Sequence, residues 1–93
     1  MSLIEGELTI AARGELDHTT VGALAEDIDR AIRHPGSMVV TVDLAQATFI
    51  SAALLGTLVA ARKRARVHGV RLVVRVEEPR LRRLFTILSL IHI

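Results

Sequence analysis

A chain of 93 residues, of which 51% are hydrophobic, can bury one core but not two, so we expect a single domain spanning residues 1–93. The absence of cysteine excludes disulfides and thiolate metal sites, and the N-terminus lacks the pattern of a secretory signal, so a cytoplasmic protein is expected. The net charge of +2 conceals an asymmetry: residues 1–50 contain eight acidic and three basic residues, whereas residues 51–93 contain nine basic and two acidic.

The basic residues are densest at residues 62–66, Arg-Lys-Arg-Ala-Arg. Such a run is typical of a solvated helix face, although it also suits an acidic protein, anionic lipid or nucleic acid. No aromatic residue interrupts the run, so a stacking platform for single-stranded nucleic acid is missing. We therefore do not expect nucleic-acid binding.

The chain begins with a predicted strand. Residues 7–12 alternate loosely around Leu8 and Ile10, which is the pattern of a strand with one buried face. Residues 14–17, Gly-Glu-Leu-Asp, then indicate a turn or the end of that strand.

An amphipathic helix is predicted at residues 19–33, where apolar residues recur at steps of three and four. We expect Asp17, Thr19 or Thr20 to cap it, because a short side chain with an oxygen can accept from the free amides of the first turn. The sequence His-Pro-Gly at residues 34–36 predicts its end.

Residues 38–44 are almost wholly apolar and predict a strand buried on both faces. The stretch 44–61 that follows carries no charge and precedes the basic run, so its length alone would admit a short membrane span. Polar residues dilute it, however, and the preceding strand needs a sheet to pair with. A strand end, a short loop and a buried helix explain it better.

The second half of the chain continues the alternation of helices and strands. We predict a helix at residues 52–67, a strand at 70–76, a helix at 79–88 that starts with proline, and a last strand at 90–93. This order predicts an α/β domain with a mixed, mainly parallel sheet and helices packed chiefly on one side.

Three segments resemble the STAS domain, which is shared by anti-sigma factor antagonists and the cytosolic tails of sulfate transporters. Residues 14–18 resemble its G-E-L-D signature. Residues 42–44 and 48–50 resemble its D-L-x-x-V-x-F-I strand, and Pro79 with residues 84–85 resembles its S-P-x-x-x-x-L-F helix start. Together these motifs span almost the whole chain in the family's order.

The sequence departs from the family where the family is phosphorylated. The family usually reads D-S-S-G-L-G after F-I, and its first serine accepts phosphate from an anti-sigma kinase. Residues 51–56 here read S-A-A-L-L-G, so Ser51 replaces the aspartate and Ala52 replaces the serine. Because a methyl group cannot accept phosphate, Ala52 is a degenerate phosphorylation position.

The resemblance implies a regulatory module without enzymatic activity or cofactor. It would bind an anti-sigma factor of the serine-kinase type, or another regulatory protein, and would do so constitutively because the switch is absent. An alternative is a STAS subunit of a membrane-associated transport assembly, which contacts the membrane only through a partner. Two further alternatives stay open: changed partners, because Leu54 replaces a glycine, and a surface that binds nothing by this route.

The partner surface is expected where the G-E-L-D turn meets the start of the second helix. Its predicted residues are Asp17, His18, Thr48, Ser51, Ala52, Ala53 and Leu54.

Catalytic and metal chemistry have little support in the sequence. Ser51 lacks the G-x-S-x-G context of a nucleophile, so we predict a loop or capping serine. The histidines at 18, 34, 68 and 92 lack the spacing of metal ligands.

The C-terminus is predicted to be a weak point. Family members commonly carry one more helix after the final strand, whereas this chain ends at Ile93. Without that helix, the apolar surface near Leu90 and Ile91 would have less cover. We therefore expect either a homodimer or the loss of a natural tail.

Overall fold

The computed structural model describes residues 6–87, in which strands and helices alternate. The elements are β1 (Glu7–Leu16), α1 (Val21–Arg33), β2 (Val39–Ile50), α2 (Ala52–Val67), β3 (Arg71–Arg75) and α3 (Pro79–Ile87). This confirms the predicted α/β class, and the predicted helices agree with α1, α2 and α3 to within two residues at the described ends. Leu88 and the predicted strand at 90–93 lie outside the described residues.

The sheet has the strand order β1-β2-β3, and the described strands are all parallel. Glu7 pairs with Val39, and Val39 also pairs with Arg71, so the three strands begin at one edge of the sheet. Their carboxyl ends therefore lie toward the opposite edge. Each connection between parallel strands needs a crossover, which α1 and α2 provide.

Both long strands extend further than their apolar patterns predicted. β1 continues beyond residue 12 to Leu16, and β2 continues beyond residue 44 to Ile50. The extensions contain polar residues and two register shifts, between Ala11 and Arg13 and between Gly14 and Glu15. Pairing between the two backbones, rather than side-chain burial, maintains the strands here, and a hydrophobicity pattern does not detect it.

The hydrophobic core lies between one face of the sheet and the helices. Val40, Val42 and Val74 are 0–1% exposed on that face. Helix α1 contributes Ile28, and α2 contributes Leu58, both fully buried. The prediction that β2 is buried on both faces is wrong, because the alternate residues, such as Thr41, are only half-buried, and Met38 is 66% exposed.

The uncharged stretch 44–61 is divided between two elements. It begins in β2, leaves the sheet at Ser51, and continues in α2. A single continuous helix over this stretch is therefore excluded. Between residues 6 and 87, no helix is both long and apolar enough to cross a membrane.

A tight turn ends α2 and leads directly into β3. Gly69 has φ +72°, the Val70 N–H donates to the Ala65 carbonyl at 2.8 Å, and the Gly69 N–H donates to the Arg66 carbonyl at 3.1 Å. These two bonds define a Schellman motif, which needs a left-handed residue and therefore favours glycine. The Arg71 N–H then donates to the Met38 carbonyl at 2.9 Å, which joins the chain to the sheet.

We predict that Gly69→Ala lowers the free energy of unfolding by about 1 kcal/mol, because alanine is strained at positive φ. Gly22→Ala is the matched control, since an added Cβ there meets nothing within 4 Å and φ is not positive. It should raise stability by about 0.5–1 kcal/mol through helix propensity. Urea denaturation of both variants measures the difference, and equal effects of the same sign would contradict the role assigned to Gly69.

Candidate functional site

The carboxyl ends of β1 and β2 bring two distant segments together. Leu16 pairs with Ile50, and the Ser51 N–H donates to the Leu16 carbonyl at 3.1 Å. The turn 17–20 that follows β1 therefore lies beside the start of α2. The carboxyl edge of a parallel sheet is where binding residues usually collect in α/β proteins.

Hydrogen bonds hold the turn 17–20 in one conformation. The Asp17 carboxylate accepts from the Thr19 N–H at 2.9 Å and from the Thr19 hydroxyl at 2.6 Å. The Thr20 hydroxyl donates to the Glu15 carbonyl at 2.8 Å and accepts from the Asp17 N–H at 3.0 Å. These contacts fix the direction in which the exposed His18 leaves the turn.

The predicted side-chain cap of α1 is wrong. Thr20 is the residue before the helix, but its side chain makes no capping hydrogen bond. Its hydroxyl instead binds backwards to the end of β1, where it satisfies the Glu15 carbonyl. The Asp17 backbone carbonyl accepts from the Val21 N–H at 2.9 Å and starts the helix in place of a side-chain cap.

The same turn lowers the pKa of Asp17. The hydroxyl of Thr19 is the largest cause, because it donates to the carboxylate and so stabilises its charged form. The backbone N–H of Thr19 acts in the same direction, and the neighbouring His18 adds a smaller electrostatic contribution. The carboxylate is thus a structural acceptor in the turn.

The start of α2 presents a neutral surface. Ser51 caps the helix, and its Oγ accepts from the Leu54 N–H at 3.4 Å, which confirms the predicted capping serine. Ala52 and Ala53 form the first exposed positions of the helix, whereas Ser51 is half-buried. The methyl group of Ala52 therefore lies where a serine hydroxyl at this position would face solvent.

The structure places the predicted site residues unequally. Asp17 and His18 lie in the turn, and Thr48 is exposed on β2, where a register shift leaves it without a paired residue on β1. Leu54, in contrast, is 0% exposed and belongs to the core. Its assignment to the partner surface is therefore wrong, because its place in α2 puts it on the buried stripe with Leu58.

Sequence reasoning missed Gly56. It is exposed on α2, three residues after Ala53 and four after Ala52, so the three share one helix face. An added Cβ at Gly56 would meet nothing within 4 Å. Helical spacing from Ala52 could have identified it. The surface formed by residues 17, 18, 48, 51, 52, 53 and 56 is called the edge surface below.

The edge surface carries small exposed side chains, and its serine is engaged as a helix cap. The Ser51 hydroxyl accepts a hydrogen bond from the Leu54 N–H. Within residues 6–87, no basic side chain is hydrogen-bonded to this hydroxyl. Over the same residues, no group of three or more histidine, aspartate or glutamate side chains could hold a metal ion. What the edge surface offers is a set of small exposed residues that allow a partner to approach closely.

Comparison with known proteins shows a family and a fold that match this arrangement of strands and helices. The model of the family described as "Mlab, STAS domain" matches residues 3–93. The Bacillus cell fate determinant SpoIIAA, in its phosphorylated form, has a similar structure, with a TM-score of 0.75 and 19% identity over 97% of this chain and 81% of that chain. The anti-sigma factor antagonist SpoIIAA in its unphosphorylated form also has a TM-score of 0.75. Its sequence identity is 19% over 92% of this chain and 78% of that chain.

A more distant similarity is to part of Mglu, with a TM-score of 0.60 and 21% identity over 76% of this chain and 17% of that chain. No curated protein matches the sequence closely. The structural similarities have low sequence identity, so they establish the fold alone. Because both forms of SpoIIAA match with the same TM-score, the backbone does not distinguish a phosphorylated from an unphosphorylated state.

We predict that Asp17→Asn destabilises the domain at pH 7, and that the difference from wild type disappears in acid. Because the folded-state pKa is lowered, the carboxylate contributes its stability above its ordinary pKa of about 3.9. That contribution is lost as the pH falls through the folded-state value. Urea unfolding at a series of pH values measures this change. Glu26→Gln removes the same charge from an exposed position on α1 and controls for net charge.

A difference between wild type and Asp17→Asn that stays constant from pH 7 into strong acid would contradict this account of the turn.

Proposed function

Since the chain belongs to the STAS family, whose model covers residues 3–93, we propose that it is a regulatory protein-binding domain. It has the fold of the anti-sigma factor antagonist SpoIIAA. Its proposed partner is an anti-sigma factor of the serine-kinase type, which docks on the edge surface. Binding is constitutive, because the domain has no phosphate acceptor at the position where the family has its serine.

The exposed methyl group of Ala52 is the observation that carries the proposal. A phosphate at this first position of α2 would add about −1.5 to −2 charges. The start of a helix accommodates such an anion well, because its free amides and dipole favour negative charge. Phosphorylation would therefore leave the fold intact. The added charge would instead weaken docking of the partner. With Ala52, the start of α2 keeps its neutral, binding-competent character.

Ser51 is a poor replacement for the missing acceptor. Its side chain is half-buried and oriented toward the Leu54 N–H, and its own N–H is bonded to the Leu16 carbonyl. The Ser51 hydroxyl lies one residue before the position where the family has its serine, and it is engaged with the helix. A kinase that requires an exposed hydroxyl on α2 would therefore not reach it. The geometry thus supports loss of the switch rather than its displacement.

The remaining parts of the proposal follow from the sequence. The domain spans residues 1–93, acts in the cytoplasm, and needs neither catalysis nor a cofactor to regulate a partner. Self-association as a homodimer is proposed as a secondary property. Sedimentation of the protein over a range of concentrations tests it, and a strict monomer at high concentration would contradict it.

The basic half of α2 favours a second candidate, a STAS subunit of a membrane-associated transport assembly. Arg62 and Arg66 form no ion pair among residues 6–87, and they lie on a helix whose other end reaches the edge surface. A photo-crosslinking residue at position 53 distinguishes the candidates by the protein it captures in the native host. An anti-sigma kinase supports the first, and a transport component supports the second.

We predict that Ala53→Glu weakens binding of the anti-sigma kinase at least about tenfold, which corresponds to about 1.4 kcal/mol. A bulky charge placed at a neutral contact must be desolvated without a partner. Ala60→Glu is the matched control, because Ala60 is also exposed on α2 but lies two turns further along. Calorimetric titration of both variants measures the effect. Equal affinities for wild type and both variants would move the docking site away from the edge surface.

We predict that an anti-sigma kinase with ATP does not phosphorylate the wild-type domain. Ala52→Ser supplies a hydroxyl, and the double variant Ser51→Asp/Ala52→Ser also restores the family's aspartate, which can cap α2 as serine does. Leu54→Gly is not a useful further change, because it would empty a fully buried position and cost about 2–5 kcal/mol. Intact mass measurement should detect one phosphate on the double variant and none on wild type.

Ala53→Ser serves as the control, since it adds an exposed hydroxyl one residue too late. A phosphate located on Ser51 of the wild type would overturn the prediction, because the switch would then have moved by one residue and survived.

A further inference from the structure

A cleft lined by three arginines lies at the opposite edge of the sheet from the edge surface. It has a volume of about 390 Å³ and is formed by the end of α2, the turn after it and the start of β3. Its lining residues are Arg62, Arg66, Gly69, Val70, Arg71 and Leu72. Arg71 pairs with Val39 at the beginning of the strands, whereas the edge surface lies at their carboxyl ends. Along α2, Ala52 and Arg66 are about 20 Å apart.

The backbone fixes the positions of the three arginines. Arg62 and Arg66 are four residues apart on α2 and therefore lie on one helix face. The Schellman motif at Gly69 reverses the chain, and the bond from the Arg71 N–H to the Met38 carbonyl places Arg71 in the sheet. Beneath them, Val70 and Leu72 are 5% and 2% exposed, so the floor of the cleft is part of the core. The cleft is thus formed by a helix, a strand and the hydrogen-bonded turn between them.

The positive charge of the cleft is not neutralised within residues 6–87. The nearby carboxylate of Asp29 is bonded to Arg64 at 3.1 Å and to Arg33 at 3.0 Å. Arg62, Arg66 and Arg71 form no ion pair in the same part of the chain. Like charges four residues apart on a helix oppose folding, so stability of the helix does not explain the pair on α2.

The helix dipole explains only part of this cluster. Cations are favourable in the last turn of a helix, where Arg64 and Arg66 lie. The effect is confined to that turn, so it does not account for Arg62, and it does not apply to Arg71 in β3. An anionic ligand accounts for all three lining arginines together.

We propose that this cleft binds a phosphate group, carried either by a soluble phosphorylated molecule or by the headgroup of an anionic phospholipid. Guanidinium groups bind phosphate oxygens through paired N–H donors, and three arginines from two elements line this cleft. The volume is within the range of small-ligand pockets, and the opening accepts a phosphate without a change of fold. The site is independent of the partner proposed for the edge surface.

Two probes distinguish the sources of phosphate: inorganic pyrophosphate, and vesicles of phosphatidylcholine with and without phosphatidylglycerol. Backbone amide shifts of the wild-type protein should change at residues 62–72 and not at residues 51–56. The variant Arg62→Gln/Arg66→Gln/Arg71→Gln should lose at least about tenfold in affinity. The matched control, Arg80→Gln/Arg82→Gln/Arg83→Gln, removes three exposed arginines of α3 that do not line the cleft, and should bind as wild type does.

Pyrophosphate binding at the cleft supports a soluble ligand, and binding only to the phosphatidylglycerol vesicles supports a headgroup. Equal losses of affinity in both triple variants would show that the protein attracts phosphate only through its general positive charge, and would overturn the proposal. An affinity for an oligoglutamate peptide equal to that for the phosphate probes would overturn it for the same reason. Absence of binding to either probe would also overturn it. If the cleft variant unfolds, Arg71→Gln alone and the wild-type amide shifts still decide the question.

Discussion

The parallel pairing of β1 with β2 is the constraint on which the arrangement of the edge surface depends. The two strands begin together at Glu7 and Val39 and end together at Leu16 and Ile50. Because they differ in length, the pairing requires register shifts, and these occur in their second halves. The bond from the Ser51 N–H to the Leu16 carbonyl then joins the start of α2 to the end of β1. This bond places the turn that begins at Asp17 beside the start of α2.

Helix α2 serves three purposes, one along its buried face and one at each of its ends. Leu54, Leu58, Ala61 and Ala65 form one fully buried stripe, which fixes how the helix lies on the sheet. Its exposed first turns carry small neutral residues, and its last turns carry arginines. The buried stripe also explains Leu54, where the related pattern has glycine. The leucine fills the core and leaves the adjacent exposed face unchanged, so it does not block the approach of a partner.

The parts of the fold that the sequence predicted are those fixed by local periodicity. The apolar stripe of α1 follows from residue spacing, and the boundaries of α2 follow from residue spacing and from Gly69. Both could therefore be predicted from the sequence. The ends of β1 and β2 do not follow from the apolar pattern, because polar residues such as Gln46 belong to a strand only through pairing with a distant segment. The family resemblance located the edge surface, but only packing revealed that Leu54 faces inward and that Gly56 faces outward. The predicted side-chain cap of α1 is wrong for a related reason. The Thr20 hydroxyl donates instead to the Glu15 carbonyl, which is a competing partner.

The two ends of α2 are chemically distinct, and the fold keeps them independent. About 20 Å of helix separates Ala52 from Arg66, whereas the Debye length in physiological salt is about 8 Å. Charge at the arginine cleft is therefore largely screened from the edge surface. Mechanical coupling would need an element with two packed arrangements, but the helix between the two sites is anchored by Leu58 and Ala61, which are 0% exposed. The ligand proposed for the cleft would therefore leave the affinity for a protein docked at the other end unchanged.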